Sequence, residues 1–188
     1  MPTTSASLLK RLRQPGDQDA WARFVKLYTP LLYSWARQVR LQHEDAADLV
    51  QEVFAVLFRT LPEFRYDPEK SFRTWLRTVM LNKWRDQRKR RVLPLQHLRE
   101  PGLSQLPGPD RAEGLEEAEY RRYLLERALQ LIQSEFQTGT WEAFRACVVL
   151  GKSPAEVAAE LGITVNAVYL AKCRVLRRLR QDLEGLLD

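Results

Sequence analysis

Two histidines and two cysteines are spread over 188 residues, and that scarcity removes several kinds of chemistry at once. Cys147 and Cys173 form no Cys-x-x-Cys pair and have no histidine cluster beside them, so neither a zinc site nor a disulfide framework is expected. A lone thiol near arginines, as Cys173 is, does not by itself make a redox sensor. No uninterrupted apolar run approaches the ~18 residues of a membrane span. The opening stretch MPTTSASLLKRLRQPGD lacks the roughly 7–15-residue apolar segment of a secretory signal, and a reducing, cytoplasmic setting is expected. Glycine is sparse at 8 residues and β-branched runs are short, which leaves helices as the expected structure. No P-loop, carboxylate–metal constellation or catalytic histidine pair is present, so no catalytic residue, metal or cofactor is expected.

What the chain does have is apolar residues enough for packed cores, 45% of the total, and a formal charge of +6. With a pI of about 9.5 it favours an anionic partner. The charge concentrates in Ser71–Arg91, SFRTWLRTVMLNKWRDQRKRR. Phe72, Trp75, Leu76, Val79 and Met80 recur there at helical spacing and mark a buried stripe. At roughly 100° per residue, Arg73, Arg77, Arg88 and Arg91 fall along the flank beside that stripe, with Trp84 among them. Guanidinium groups and an indole on one flank suit an anionic polymer with stackable bases; a solvated basic face is the plainer alternative.

Upstream, Ser7–Arg13 can form a short helix ended by Pro15-Gly16. Helical periodicity then runs from Asp19 to Val39, where Pro30 is expected to kink or divide it. Asp45–Phe58 is a second helix with Leu49, Val50, Val53, Phe54, Leu57 and Phe58 on its apolar face and Asp45 as its cap. Asp48, Gln51 and Glu52 form an acidic patch off that stripe. Leu61–Lys70 breaks the pattern with Pro62 and Pro68 and carries Phe64, Arg65, Tyr66 and Lys70, a candidate platform for stacking unpaired bases. After the basic helix, residues 93–119 are rich in proline, glycine and acid, the composition of a flexible linker.

Helical periodicity resumes at Tyr120. Thr138-Gly139-Thr140 reads as a break, Trp141–Leu150 as a helix. Ser153-Pro154-Ala155-Glu156 is a strong helix start, with a serine cap, proline in the first turn and a glutamate closing the capping box. Leu161-Gly162-Ile163 makes a turn and Thr164 caps the next helix. Two short helices around a glycine turn form a helix-turn-helix pattern. Val168, Ala171, Val175 and Leu179 face inward on the second, while Asn166, Tyr169, Leu170, Cys173, Arg174 and Arg177 project outward. Such a face suits the major groove of a duplex.

These stretches, in this order, resemble the extracytoplasmic-function (ECF) subfamily of the sigma-70 family of bacterial RNA polymerase sigma factors. The resemblance implies an all-α chain of two small helical domains joined by a flexible linker: an N-terminal tail over 1–18, a region 2-like helical bundle over 19–92, the linker over 93–119, and a region 4-like helix-turn-helix domain over 120–188. It implies that the Asp48, Gln51, Glu52 and Phe54 face docks on core RNA polymerase. Phe64, Arg65, Tyr66 and Lys70 in the loop would hold the melted −10 strand, together with Arg73, Arg77, Asn82, Trp84, Arg88 and Arg91. Thr164, Asn166, Tyr169, Lys172, Arg174 and Arg177 would contact the −35 duplex. Core polymerase and promoter DNA are then the partners, an anti-sigma factor is a further one to consider, and no membrane is involved. Many members of that family carry small or basic residues where this helix has Tyr169 and Leu170, and a serine where it has Cys173.

Two alternatives stand beside this one. A helix-turn-helix regulator that binds duplex DNA without polymerase accounts for Ser153–Leu183 but leaves Asp45–Arg91 unexplained. A nucleic-acid-processing enzyme lacks the constellations it needs.

Overall fold

The computed structural model describes residues 7–14, 16–63, 71–92 and 117–187, the side chains of 90–92 and 117 excepted. Within these, Asp17 starts the helix on which the first half of the chain is built. Its carboxylate accepts the Ala20 N–H at 2.9 Å and both prongs of the Arg11 guanidinium at 2.8 Å. One orphan donor of the first turn is thereby satisfied and negative charge meets the positive helix end. The Arg11 bond, helped by the Ala20 N–H, holds the Asp17 carboxyl below its ordinary range.

From this cap runs α2, Gln18–Gln38, preceded by the short α1, Leu8–Leu12. The expected division at Pro30 does not occur: α2 continues through it. Pro30 has no N–H to give to the carbonyl one turn earlier, that of Lys26. That carbonyl instead accepts the Nε–H of Arg127, at 3.2 Å, from a helix far along the chain. Nor is the stretch before α2 wholly a tail, because Leu8, Leu9 and Leu12 of α1 are buried.

Next come α3, His43–Thr60, with a 3-10 turn at Leu61–Glu63, and α4, Phe72–Val92. Asp45 lies inside the first turn of α3, and Gln42 takes the cap position expected of it. Phe24 of α2 joins the three helices. Its ring lies 6.1 Å from Phe54 of α3 and 6.1 Å from Phe72 of α4, both edge-on, and 4.7 Å from Tyr28. Edge-on aromatic pairs at these separations add to burial itself.

Four helices follow: α5, Glu117–Ile132; α6, Thr138–Val148, after a 3-10 turn at Gln133–Glu135; α7, Pro154–Leu161; and α8, Val165–Leu183. Helix α5 starts inside the stretch expected as linker; residues 93–116 lie outside those described. Thr138-Gly139-Thr140, expected as a break, forms the first turn of α6. First-turn N–H groups have no intrahelical acceptor in any case, so small polar residues are tolerated there. The only extended pairing among the described residues is one bridge between Glu184 and Leu187. The all-α class expected from the sequence is the observed one.

A single core runs through α1 to α6 and α8, with Tyr120, Leu124, Phe144, Val175, Leu179 and Leu183 joining the residues of α1–α4. Ala143, Val157, Ala158, Val168 and Ala171 form a smaller second core. Where the halves meet, Tyr28 and Tyr120 bring their hydroxyls to 3.0 Å, and Tyr120 donates to the Leu186 carbonyl at 3.3 Å. With its single proton so used, Tyr120 accepts from Tyr28. Gly185, at φ +81, lies against Leu9 of α1; a Cβ there would come within 3.1 Å of the leucine Cδ2.

A ring of four charges also joins α2 to the second half. Arg23 of α2 donates to Asp182 and Glu135, each at 2.5 Å; Arg178 donates to Glu135 at 2.7 Å and to Asp182 at 2.5 Å. Partial burial pushes the Glu135 carboxyl up, but hydrogen bonds from Arg178 and Arg23, and their charges, more than offset this and hold it below its ordinary 4.5. A carboxyl with a depressed folded value stabilises the fold above its unfolded value, and that contribution disappears as pH falls through the folded one. Denaturant titrations of wild type and Glu135→Gln should therefore differ at neutral pH and converge as pH drops below 4.5. A gap that persists in acid would contradict this ionic account.

Candidate nucleic-acid interface

The helix-turn-helix is built by local signals. The Ser153 hydroxyl accepts the Glu156 N–H at 3.3 Å, and Glu156 accepts the Ser153 N–H at 2.8 Å, closing the expected capping box on α7. The bonds with the Ser153 side chain and backbone hold Glu156 below its ordinary range. Gly162 ends the helix at φ +64, a left-handed conformation that glycine adopts without cost. The Thr164 hydroxyl then accepts the Ala167 N–H at 3.1 Å and starts α8. Small Ala158 and Ala171, buried with Val157 and Val168, let the two helices approach closely.

On the far side of α8, Thr164, Asn166, Tyr169, Lys172, Arg174 and Arg177 are all exposed, with Leu170 and Cys173 between them. Tyr169 shows 52% of its surface. Among the described residues Arg174 and Arg177 have no ion-pair or hydrogen-bond partner, whereas Arg178, one position on, turns inward to the charge ring. Burial lowers the Arg178 pKa, but its bonds to Glu135 and Asp182 outweigh that and raise it. Guanidinium groups on the outward face thus remain available to a phosphate or a base edge.

The basic flank of α4 is less open than its sequence suggests. Phe72, Leu76 and Met80 are buried as expected, with Trp75 and Val79 packed beside them. Arg73 and Arg77 are half-buried. The Arg73 guanidinium lies over the Tyr120 ring, 5.1 Å from its centroid, and Arg88 over Trp84 at 5.5 Å. Asn82 is exposed and accepts from Arg85 at 3.4 Å. Phe64, Arg65, Tyr66 and Lys70 lie outside the described residues, as does the Arg91 side chain.

On α3, Asp48 and Gln51 are exposed, and Glu52 is half-buried, 3.9 Å from Lys83 of α4. Phe54 packs partly into the core against Phe24. Phe58, expected on the apolar face with it, is instead 62% exposed, its ring 5.0 Å from Trp21. At helical spacing it extends the Asp48–Gln51 strip by two turns. Periodicity alone could not separate it from the core, because Phe58 lies at the stripe's edge, a turn beyond Phe54.

The Sigma-70 region 2 family model matches residues 24–92, from the middle of α2 to the end of α4. Over 100% of its length the chain is 31% identical to the RNA polymerase sigma factor CnrH of Cupriavidus metallidurans, covering 96% of that protein. The chain belongs to the ECF subfamily of the sigma-70 family. It is also 28% identical to the sigma factor NccH of Alcaligenes xylosoxydans xylosoxydans, over 98% of the chain and 97% of NccH. The ECF sigma factor SigE of Mycolicibacterium smegmatis is 28% identical over 89% of the chain and 64% of SigE. The structure of CnrH in complex with the cytosolic domain of CnrY aligns over 92% of both chains, at 28% identity and a TM-score of 0.37. Membership of this sigma-factor family places the chain in transcription initiation and sets aside the polymerase-independent regulator.

Loss of an N-cap hydroxyl costs about 1 kcal/mol. Ser153→Ala and Thr164→Ala should each lower stability by that amount in chemical denaturation, without changing the helical signal of the native state. No change in either would mean that the caps do not set the helix-turn-helix geometry.

Proposed function

We propose that this sigma factor binds core RNA polymerase through the exposed strip of α3, with Asp48, Gln51, Glu52 and Phe58 facing the polymerase and Phe54 supporting them from the core side. The flank of α4 would hold the melted −10 strand, with Arg73, Arg77 and Arg88 near phosphates and Asn82 and Trp84 near bases. The loop residues Phe64, Arg65, Tyr66 and Lys70 would complete that site. Helix α8 would enter the −35 major groove, Asn166 and Tyr169 meeting base edges while Lys172, Arg174 and Arg177 hold phosphates. The observation that carries this reading is the outward face of α8: exposed, without ion pairs among the described residues, and mounted on a capped helix-turn-helix.

The factor supplies recognition and the polymerase supplies chemistry. Its setting is the cytoplasm, where promoter DNA is found. CnrH, which is similar over the full chain, has been solved in complex with the cytosolic domain of CnrY; we extend a bound protein partner to this chain, and an anti-sigma factor is the kind of partner that the sigma-factor reading calls for. The modular division into region 2-like, linker and region 4-like parts belongs to the same proposal, with linked modules raising effective concentration at the second DNA element.

Reversing charge in Asp48→Lys, or truncating Phe58→Ala, should weaken binding to core polymerase by on the order of tenfold, as loss of a well-placed interface contact does. Unchanged affinity in both, measured by competition for core enzyme, would remove α3 from the docking surface. Arg174→Ala with Arg177→Ala should weaken promoter binding by the holoenzyme. If both arginines neutralise phosphates, the slope of log K against log salt falls by about 1.8. An unaltered slope would place these arginines away from DNA.

A further inference from the structure

The outward face of α8 is not uniformly polar. At about 100° per residue, Asn166, Leu170, Cys173 and Arg177 share its central line, with Tyr169 on one side and Arg174 on the other. Asn166 is exposed, and its amide has no hydrogen-bond partner among the described residues. Leu170 leaves 47% of its surface open, although its neighbours on the face are that amide and two guanidinium groups. Cys173, one turn further on, is exposed as well. Single exposed leucines are common and carry no message by themselves. Here the position carries it. Leu170 belongs to neither core and stands in the second turn of α8, within the N-terminal part of a groove-entering helix that meets base edges. It has neither donor nor acceptor, so what it can recognise on a base is apolar surface.

We propose that Leu170, with Cys173 beside it, is the specificity-determining residue that reads the 5-methyl group of a thymine in the −35 element. The inference rests on the −35 role assigned to α8 above. Thymine alone of the four bases presents a methyl group in the major groove, and apolar side chains are its partners. The Asn166 amide, one turn earlier, can give and take a hydrogen bond at once, which matches the N7 and N6–H of adenine. Four residues of helix advance about 6 Å, against about 3.4 Å for each base pair. With α8 along the groove, the two side chains address pairs one or two steps apart. An adenine and a thymine at that spacing are then the centre of the sequence this helix selects. The recognised group is the methyl itself, so 5-methylcytosine presents the same feature at the same place.

The probe is a promoter duplex that the wild-type holoenzyme enriches from a pool with a randomised −35 segment. It is remade with deoxyuridine at one thymine at a time, which removes the methyl group and keeps every hydrogen bond. Holoenzyme affinity for the thymine and uracil duplexes is then measured by competition. At one thymine the wild type should bind the uracil duplex about fourfold more weakly, the worth of one buried methyl group. Leu170→Ala, an exposed change to a good helix former, should bind the two duplexes equally. Cys173→Ser, which keeps the shape and adds polarity, should narrow the difference. With a cytosine–guanine pair at that position, 5-methylation of the cytosine should raise wild-type affinity, and no rise overturns the extension to 5-methylcytosine. An enriched segment without thymine, or uracil without effect at every thymine, overturns the methyl reading and keeps α8 in the groove. A wild-type loss that Leu170→Ala retains in full overturns the choice of Leu170, and one that Cys173→Ser retains in full overturns the part given to the cysteine. Failure of the underlying reading looks different: no base is enriched in the −35 segment, and Arg174→Ala with Arg177→Ala leaves promoter affinity unchanged.

Discussion

The Phe24 ring has no solvent exposure, yet it belongs to a helix of only 21 residues whose outer surface is open to solvent and bears Asp19, Lys26 and Arg37. Burying Phe24 and Tyr28 together requires partners on more than one side. Phe54 and Phe72 approach from α3 and α4, and Tyr120 closes the remaining side from α5. Helix α2 is therefore the beam of the structure. The basic flank of α4 is presented at a fixed angle because Phe72 is pinned to Phe24, and the acidic strip of α3 is presented because Phe54 is.

Much of this was legible in the sequence where one local rule decides the outcome. The capping box at Ser153, the left-handed Gly162 and the Thr164 cap are short-range chemistry and were read correctly, as was the inward and outward division of α8. The stripe of α4 was legible for the same reason, its period matching a helix over many residues. Misreadings came where a distant partner intervenes. Pro30 does not end α2, since a carbonyl left without its donor is tolerable when Arg127 supplies another. Asp17, not Asp19, marks the beginning of that helix, and its signal was Arg11, six residues earlier. Phe58 looked like core because periodicity reports which side of a helix is apolar but not how far the neighbouring helix extends to cover it.

Arginine content was the most informative and the most misleading single quantity. It pointed to an anionic partner, but identical side chains have opposite fates. Arg174 and Arg177 reach solvent, whereas Arg178 on the same helix and Arg23 on α2 are consumed by Glu135 and Asp182. Net charge counts all four alike. Only the tertiary pairing separates the cations that hold the protein together from those left for a ligand: Arg178 and Asp182 share one turn of α8, but Arg23 and Glu135, the other members of the ring, lie far away in the sequence.

The charge ring also bears on how the chain acquires its structure. Arg23 and Asp182 are 159 positions apart, and Leu9 meets Gly185 across a still wider span. Contacts of such separation carry the largest loop-closure entropy, while helix pairs such as α2 with α3 or α7 with α8 close over short loops. Loop-closure entropy therefore predicts that the meeting of the two halves assembles last. During synthesis the Lys26 carbonyl leaves the ribosome about a hundred residues before Arg127, so helices formed from the first half would carry that carbonyl towards water until α5 follows.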